Sequence, residues 1–196
     1  MLDHVFTDAI GALRDALEAA LLERMSPDEH FQVDVLTGDT TWETSYGLPG
    51  ERTPARVRAD ITLDWPTWSQ SAFRSWLRSE EPDEDPRIEI SVVLRVQGLE
   101  SLPDPTVVMA GLPEQSAPIG TVSLDRTAPT VETAYTTDLE PSGHAMEFGF
   151  EGAYELEDKT LSNGALLDDH FSSMGGWIAS MLVRLGDLPL SYRTTR

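Results

Sequence analysis

The run Leu63-Asp64-Trp65-Pro66-Thr67-Trp68-Ser69-Gln70-Ser71-Ala72-Phe73-Arg74-Ser75-Trp76-Leu77-Arg78 decides how this chain is to be read. Just before it, Val57, Ala59, Ile61 and Leu63 alternate with Arg56, Arg58, Asp60 and Thr62, the period of a half-buried strand. Within it the period changes, and Trp68, Ala72, Phe73, Trp76 and Leu77 fall on one side of a helix. Asp64 can cap that helix, with Pro66 in the first turn, where its missing N–H costs nothing. Thr67 with Gln70 three residues on is a rival start, as a capping box. The stripe is expected to dock the helix on a sheet, with Trp76 a large buried aromatic. The alternative is an aromatic recognition surface made by Trp65, Trp68 and Trp76.

Outward from this junction the pattern is helix, strands, helix, strands, helix. Residues 3–25 predict a first helix capped by Asp3, with Phe6, Ile10, Leu13, Leu17 and Leu21 at helical spacing and several alanines beside them. Ser26-Pro27-Asp28-Glu29 suggests a single helical turn, and Phe31, Val33 and Val35 then alternate as a half-buried strand. Gly38-Asp39 can turn it back into Trp42–Tyr46, and 47–54 is a loop with two glycines and two prolines. Further strands are expected over Ile88–Val96, 106–110, 119–124, Val131–Tyr135 and Met146–Leu156, the last bent or bulged at Gly152. The acid-rich segment 79–87, between the tryptophan helix and the first of these strands, is expected to be a solvated connector rather than a metal or basic-partner site.

The last helix runs from about Asn163 to Leu185. Leu167, Phe171, Met174, Ile178, Met181 and Leu182 belong to its broad apolar stripe, and Ser172, Gly175, Gly176 and Ala179 lie on the opposite, small side. Small residues contribute little by burial but let backbones approach. The face around Ser172, Gly176 and Ala179 is therefore expected to meet another helix, either the alanine-rich first one or that of a second subunit. Gly176→Leu would then overfill the contact.

Composition bounds the function. The 196 residues carry 34 acids against 14 bases, a formal net charge of −20, and Lys159 is the only lysine. A field of that sign repels phosphate backbones and anionic bilayers, so neither nucleic acid nor membrane is an expected partner. The acids run the length of the chain with one local cluster, which favours the acidic surface of a salt-adapted protein over complementarity to a basic partner or imitation of nucleic acid. There are no cysteines, which removes thiol nucleophiles, thiolate metal sites and disulfides. No apolar run approaches a membrane span, and the first residues carry no basic signal region, so the reading is a protein kept in the cytoplasm.

The search for chemistry returns little. No phosphate-cradling glycine loop, nucleophile elbow or His-Glu-x-x-His occurs. His170 lies on the apolar stripe and reads as a hydrogen-bonded histidine at the edge of the core. Glu147, Glu151 and Glu155 share a strand face, which reads as the wet side of a sheet with Arg56 and Arg58 as cross-strand partners. No nucleophile, base and orienting group come together, so no catalytic, cofactor or metal residue is assigned.

The order predicts an α+β fold: an antiparallel sheet of about six to eight strands packed by an N-terminal helix, a central tryptophan-rich helix and a long C-terminal helix. It reads as a single domain over 1–196, with 1–54 as a helix-plus-hairpin extension. From residue 55 on, the element order resembles a helix-grip fold, whose sheet curls around the C-terminal helix and can enclose an apolar ligand. The leading functional expectation is a non-catalytic interaction or assembly subunit (an adaptor, a chaperone, or a component of a viral or secretion-type machine) with a protein partner or a second copy. A small apolar ligand-binding domain and an acidic mimic of nucleic acid are the other expectations.

Self-repulsion at −20 should weaken the fold at low ionic strength. The thermal midpoint is expected to rise between dilute buffer and molar potassium chloride. A flat or falling midpoint in a calorimetric salt series would mean that the acids are balanced locally.

Overall fold

Strict alternation builds the sheet. In the computed structural model, which describes residues 4–21, 28–48, 55–157, 159–160 and 163–193, every second residue of the central strands is buried and its neighbours are not. β3 (Val57–Trp65) buries Val57, Ala59, Ile61, Leu63 and Trp65, and β4 (Arg87–Leu99) buries Ile88, Ile90, Val92, Leu94 and Val96. The two pair antiparallel with Ile61 opposite Val92. Each fully buried aliphatic side chain of this kind contributes about 1.5–3 kcal/mol. A one-residue slip would turn the whole set into water, and that fixes the register.

Seven strands form one antiparallel sheet. With β1 (Asp28–Val33), β2 (Thr40–Gly47), β5 (Asp125–Arg126), β6 (Thr130–Tyr135) and β7 (Pro141–Glu155), the order is β1-β2-β3-β4-β7-β5. β6 pairs with a different stretch of β7 on the same side as β5. β1 therefore forms one edge of the sheet and the β5 and β6 strands share the other. The hairpin β1–β2 and the first helix enter the same sheet and the same core as the rest.

The helices cover one face. α1 (His4–Leu21) buries Phe6, Ala9, Ile10, Leu13, Leu17 and Leu21, the predicted stripe with one alanine added. The long C-terminal helix, α4 (Gly164–Gly186), lays Phe171 against Tyr154 and Trp177 against Phe150, with ring centroids 5.1 and 5.0 Å apart. The opposite sheet face carries Thr41, Asp60, Thr62, Asp64, Glu89 and Glu147, all only partly covered or exposed.

Several local expectations are corrected. Residues 105–110 form a short helix, α3 (Pro105–Ala110), because Asp104 accepts the Thr106 N–H at 2.9 Å and Pro105 occupies the first turn. Residues 119–124 make only an isolated bridge, Ile119 to Val122. Gly152 is no bulge: the register runs unbroken past it opposite Ile90, and its missing side chain leaves room for Leu124, whose Cδ2 would lie 3.0 Å from a Cβ there. Asp28 and Glu29 already belong to β1 and form no helical turn. Asp3, the expected cap of α1, lies outside the described residues, as does most of the loop expected over 47–54. Arg56 and Arg58 do not meet the β7 glutamates, because β4 lies between β3 and β7. Arg95 of β4 stands opposite Glu147 and pairs with it and with Glu132, while Arg58 pairs with Asp60.

α1 and α4 pack directly on each other, but through a different glycine from the one expected. A Cβ on Gly175 would lie 2.8 Å from the Ala16 Cβ and 3.1 Å from the Leu13 carbonyl oxygen, whereas Gly176 faces open space. One residue along a helix is a rotation of about 100°, enough to move the close approach from one glycine to its neighbour. Gly175→Ala is accordingly expected to cost about 1–3 kcal/mol by overpacking. Gly176→Ala should be neutral or stabilise by up to about 1 kcal/mol through helix propensity. Urea titrations of the two variants would tell them apart, and equal costs would refute the close contact.

Candidate interaction surface

The tryptophan helix, α2 (Thr67–Leu77), is anchored by its polar residues more than by its aromatic stripe. It buries Ser69, Gln70 and Phe73, while Trp76 is half-buried and Leu77 exposed. Ser69 uses its whole hydrogen-bonding capacity. Its hydroxyl donates to the Arg87 carbonyl at 2.6 Å and accepts from the Arg87 N–H at 2.8 Å and the Trp65 indole N–H at 3.1 Å. Gln70 donates to the carbonyls of Trp65 and Gly38. Phe73 meets the Trp65 ring edge-on at 5.6 Å. The stripe misled because α2 sits at the end of the sheet, where only a narrow face of the helix finds cover.

Neither expected cap holds the helix start. Asp64 stays in β3 and accepts from the Thr41 hydroxyl across the strand pair. Pro66 occupies the cap position without a side-chain bond. The Thr67 N–H instead donates to Asp39 Oδ1 at 2.6 Å, and the Thr67 hydroxyl donates to the Thr37 carbonyl. The β1–β2 turn thus caps α2 from a distance in sequence that no local motif reveals. Gly38 at φ +80° is needed there, since a side chain would press on the Thr67 hydroxyl 3.0 Å from its Cβ.

The same turn is rigid within itself. Asp34 Oδ1 accepts from the N–H groups of Leu36 and Thr37 at 2.7 and 2.9 Å. These bonds, Thr37 first, hold the Asp34 carboxyl below its usual range, and the Thr67 N–H does the same for Asp39. What the turn presents to water is apolar: Val35 is 97% and Leu36 95% exposed. In β1 itself Phe31 is 46% and Val33 51% exposed, although alternation predicted a half-buried strand. Phe31 retains an edge contact with Phe6 of α1 at 6.5 Å. The alternation is real, but β1 is the last strand and α1 covers only part of its inner side.

On the polar face beside β1 lies a shallow hollow of about 390 Å³ whose carboxylates are Asp34, Asp39, Glu43, Asp64 and Glu89. Among the described residues no arginine or lysine lines it, although the Arg87 guanidinium lies 3.7 Å from Glu89. On the inner face of β2, the Trp42 indole N–H, the Thr44 hydroxyl and the Tyr46 hydroxyl are buried without a hydrogen-bond partner among the described residues. Burial, then Glu29 and Glu18, push the Tyr46 phenol up to about 12.

The six residues singled out in the sequence lie in different settings. Trp65 and Ala179 are in the core. Trp68 is exposed at 37% and stacks under the Arg87 guanidinium at 4.9 Å, and Trp76 is half-buried on the core margin. Gly176 is exposed, and Ser172 lines a shallow groove between α1 and α4 with Asp8, Asp15 and Asp168. His170 is partly buried, with Nδ1 in a 2.8 Å hydrogen bond with the Tyr154 hydroxyl. Among the described residues no cluster of histidine and carboxylates is arranged to hold a metal ion, and no helix is long and apolar enough to cross a membrane.

No family model matches this chain, and no curated protein or solved structure is detectably similar to it.

The burial pattern separates the tryptophans. Trp65→Ala is expected to cost about 3–5 kcal/mol, as for a fully packed aromatic. Trp68→Ala, which loses mainly its contact with Arg87, should cost about 1 kcal/mol. Denaturant titration of both variants checks the order, and a reversal would mean that α2 docks through its exposed stripe after all.

Proposed function

We propose that this chain is a non-catalytic interaction subunit that works by holding another protein. One observation carries the reading: Phe31, Val33, Val35 and Leu36 make an exposed apolar run in the sequence of a hairpin that is otherwise tightly bonded to the body of the domain. Single exposed apolar residues need no explanation, but four within six positions do. The support beneath the run argues for use rather than neglect, since Asp34, Asp39, Thr67 and Gln70 all hold the turn in one conformation. A rigid apolar projection binds at less entropic cost than one that must order itself on contact.

An affinity-tagged chain, purified from the cells that produce it, should bring down a stoichiometric protein partner visible by native mass spectrometry. The double variant Val35→Ser, Leu36→Ser should melt within about 0.5 kcal/mol of the parent, as exposed substitutions do, and release that partner. Recovery of only the free chain from both proteins would overturn the proposal.

A further inference from the structure

We propose that β1 is a docking edge for one more strand, supplied by an extended basic segment of a partner protein. The inference rests on the interaction reading above and names the partner's chemistry.

The backbone comes first. Among the described residues β1 is hydrogen-bonded to β2 on one side only. In an antiparallel pair, residues bonded to the neighbour alternate with residues whose N–H and C=O point away. The Asp34 N–H donates to the Asp39 carbonyl at 2.9 Å in the register that runs unbroken through the hairpin, and this sets the phase. His30 and Gln32 therefore bond inward to β2, while the backbone groups of Glu29, Phe31 and Val33 point outward. All residues from Glu29 to Thr37 are exposed. Sheet edges are commonly blunted by lysine, proline or a bulge. Here none of the three occurs between Asp28 and Val33.

The side chains then select the occupant. Phe31 and Val33 stand opposite Trp42 and Thr40, so they face the helix side, half open to water. An added strand would set its own apolar residues beside them. Its alternate residues would project over the polar face, next to the hollow where Asp34, Glu43 and Asp64 gather with no lining cation among the described residues. One strand spacing is about 4.8 Å, so a lysine or arginine on the incoming strand reaches across Gln32 toward Asp34 and Glu43. A second copy of this chain fits poorly, because pairing β1 with β1 would bring two such acidic hollows together on two chains of formal charge −20. Main-chain bonds to the edge and alternating side-chain contacts are the usual division of labour in strand addition.

The test uses the whole protein and a labelled peptide of about ten residues with alternating lysine and valine, at low ionic strength. The same peptide with glutamate for lysine is the control. On binding the basic peptide, the amides of Phe31 and Val33 should exchange with solvent at least about tenfold more slowly by NMR, with little change at His30 and Gln32. Val33→Pro removes one outward N–H, leaves the inward ladder intact and should weaken the peptide about tenfold. Glu43→Gln should weaken it less, with a shallower salt dependence. Unchanged exchange at Phe31 and Val33 on the parent protein would overturn the proposal, and so would equal binding of the acidic peptide. So would a dimer of the free chain that Val33→Pro dissolves. If the cellular partner binds the parent and Val33→Pro alike, the interaction reading survives and this edge is not its site.

Discussion

Trp65 is the contact on which the rest of the structure depends. It ends β3, where the chain turns into α2, and its ring is almost wholly buried. Phe6 of α1 packs on one side at 5.6 Å and Phe73 of α2 meets it edge-on at the same distance. Its indole N–H is satisfied by Ser69, and its carbonyl by Gln70. One side chain therefore joins the sheet, the first helix and the tryptophan helix. A buried polar network of this kind is stable only when each member is paired, and here each is. The same network ties down the β1–β2 turn through Gln70 and Gly38.

Most of the architecture was legible because the two hydrophobic periods are clear in this chain. β3 alternates throughout, β4 as far as Val96 and β7 from Met146 to Phe150, and α1 and α4 carry apolar stripes long enough to outweigh local ambiguity. What could not be read depended on which surfaces end up opposite one another. Trp68, Trp76 and Leu77 look like a docking face until α2 is seen to lie at the sheet's end. Phe31 and Val33 alternate as correctly as Ile61 and Leu63 do, yet only position in the sheet decides that one pair is at an edge and the other in the middle. The glycine at the α1–α4 contact was misplaced by one residue for the same reason.

The candidate surface was less legible than the fold. Its strongest element, the turn 34–39, is shaped by bonds to Thr67 and Gln70, some thirty residues away. No local capping pattern encodes such a contact. The acidic hollow, too, is assembled from the β1–β2 turn, β2, β3 and β4, so that acids scattered through the sequence become neighbours only once the strands are in register. A general excess of acid in the composition concealed the one place where it is concentrated beside an open edge.

The seating of Gly175 against Leu13 and Ala16 joins two segments separated by nearly the whole sheet in sequence. As the chain is synthesised, the apolar stripe of α1 emerges early and its close partner late. The contact closes a very long loop, which slows folding relative to a bundle of sequential neighbours. Until α4 leaves the ribosome, Leu13, Leu17 and Leu21 have no helix to pack against, and an exposed stripe of this kind is a hazard for aggregation during synthesis. The two acidic residues that follow Asp8 along α1, Asp15 and Glu18, lie largely off that stripe and give the unfinished chain a repulsive coat. In a nascent protein, such charge serves as a guard while the fold is still incomplete.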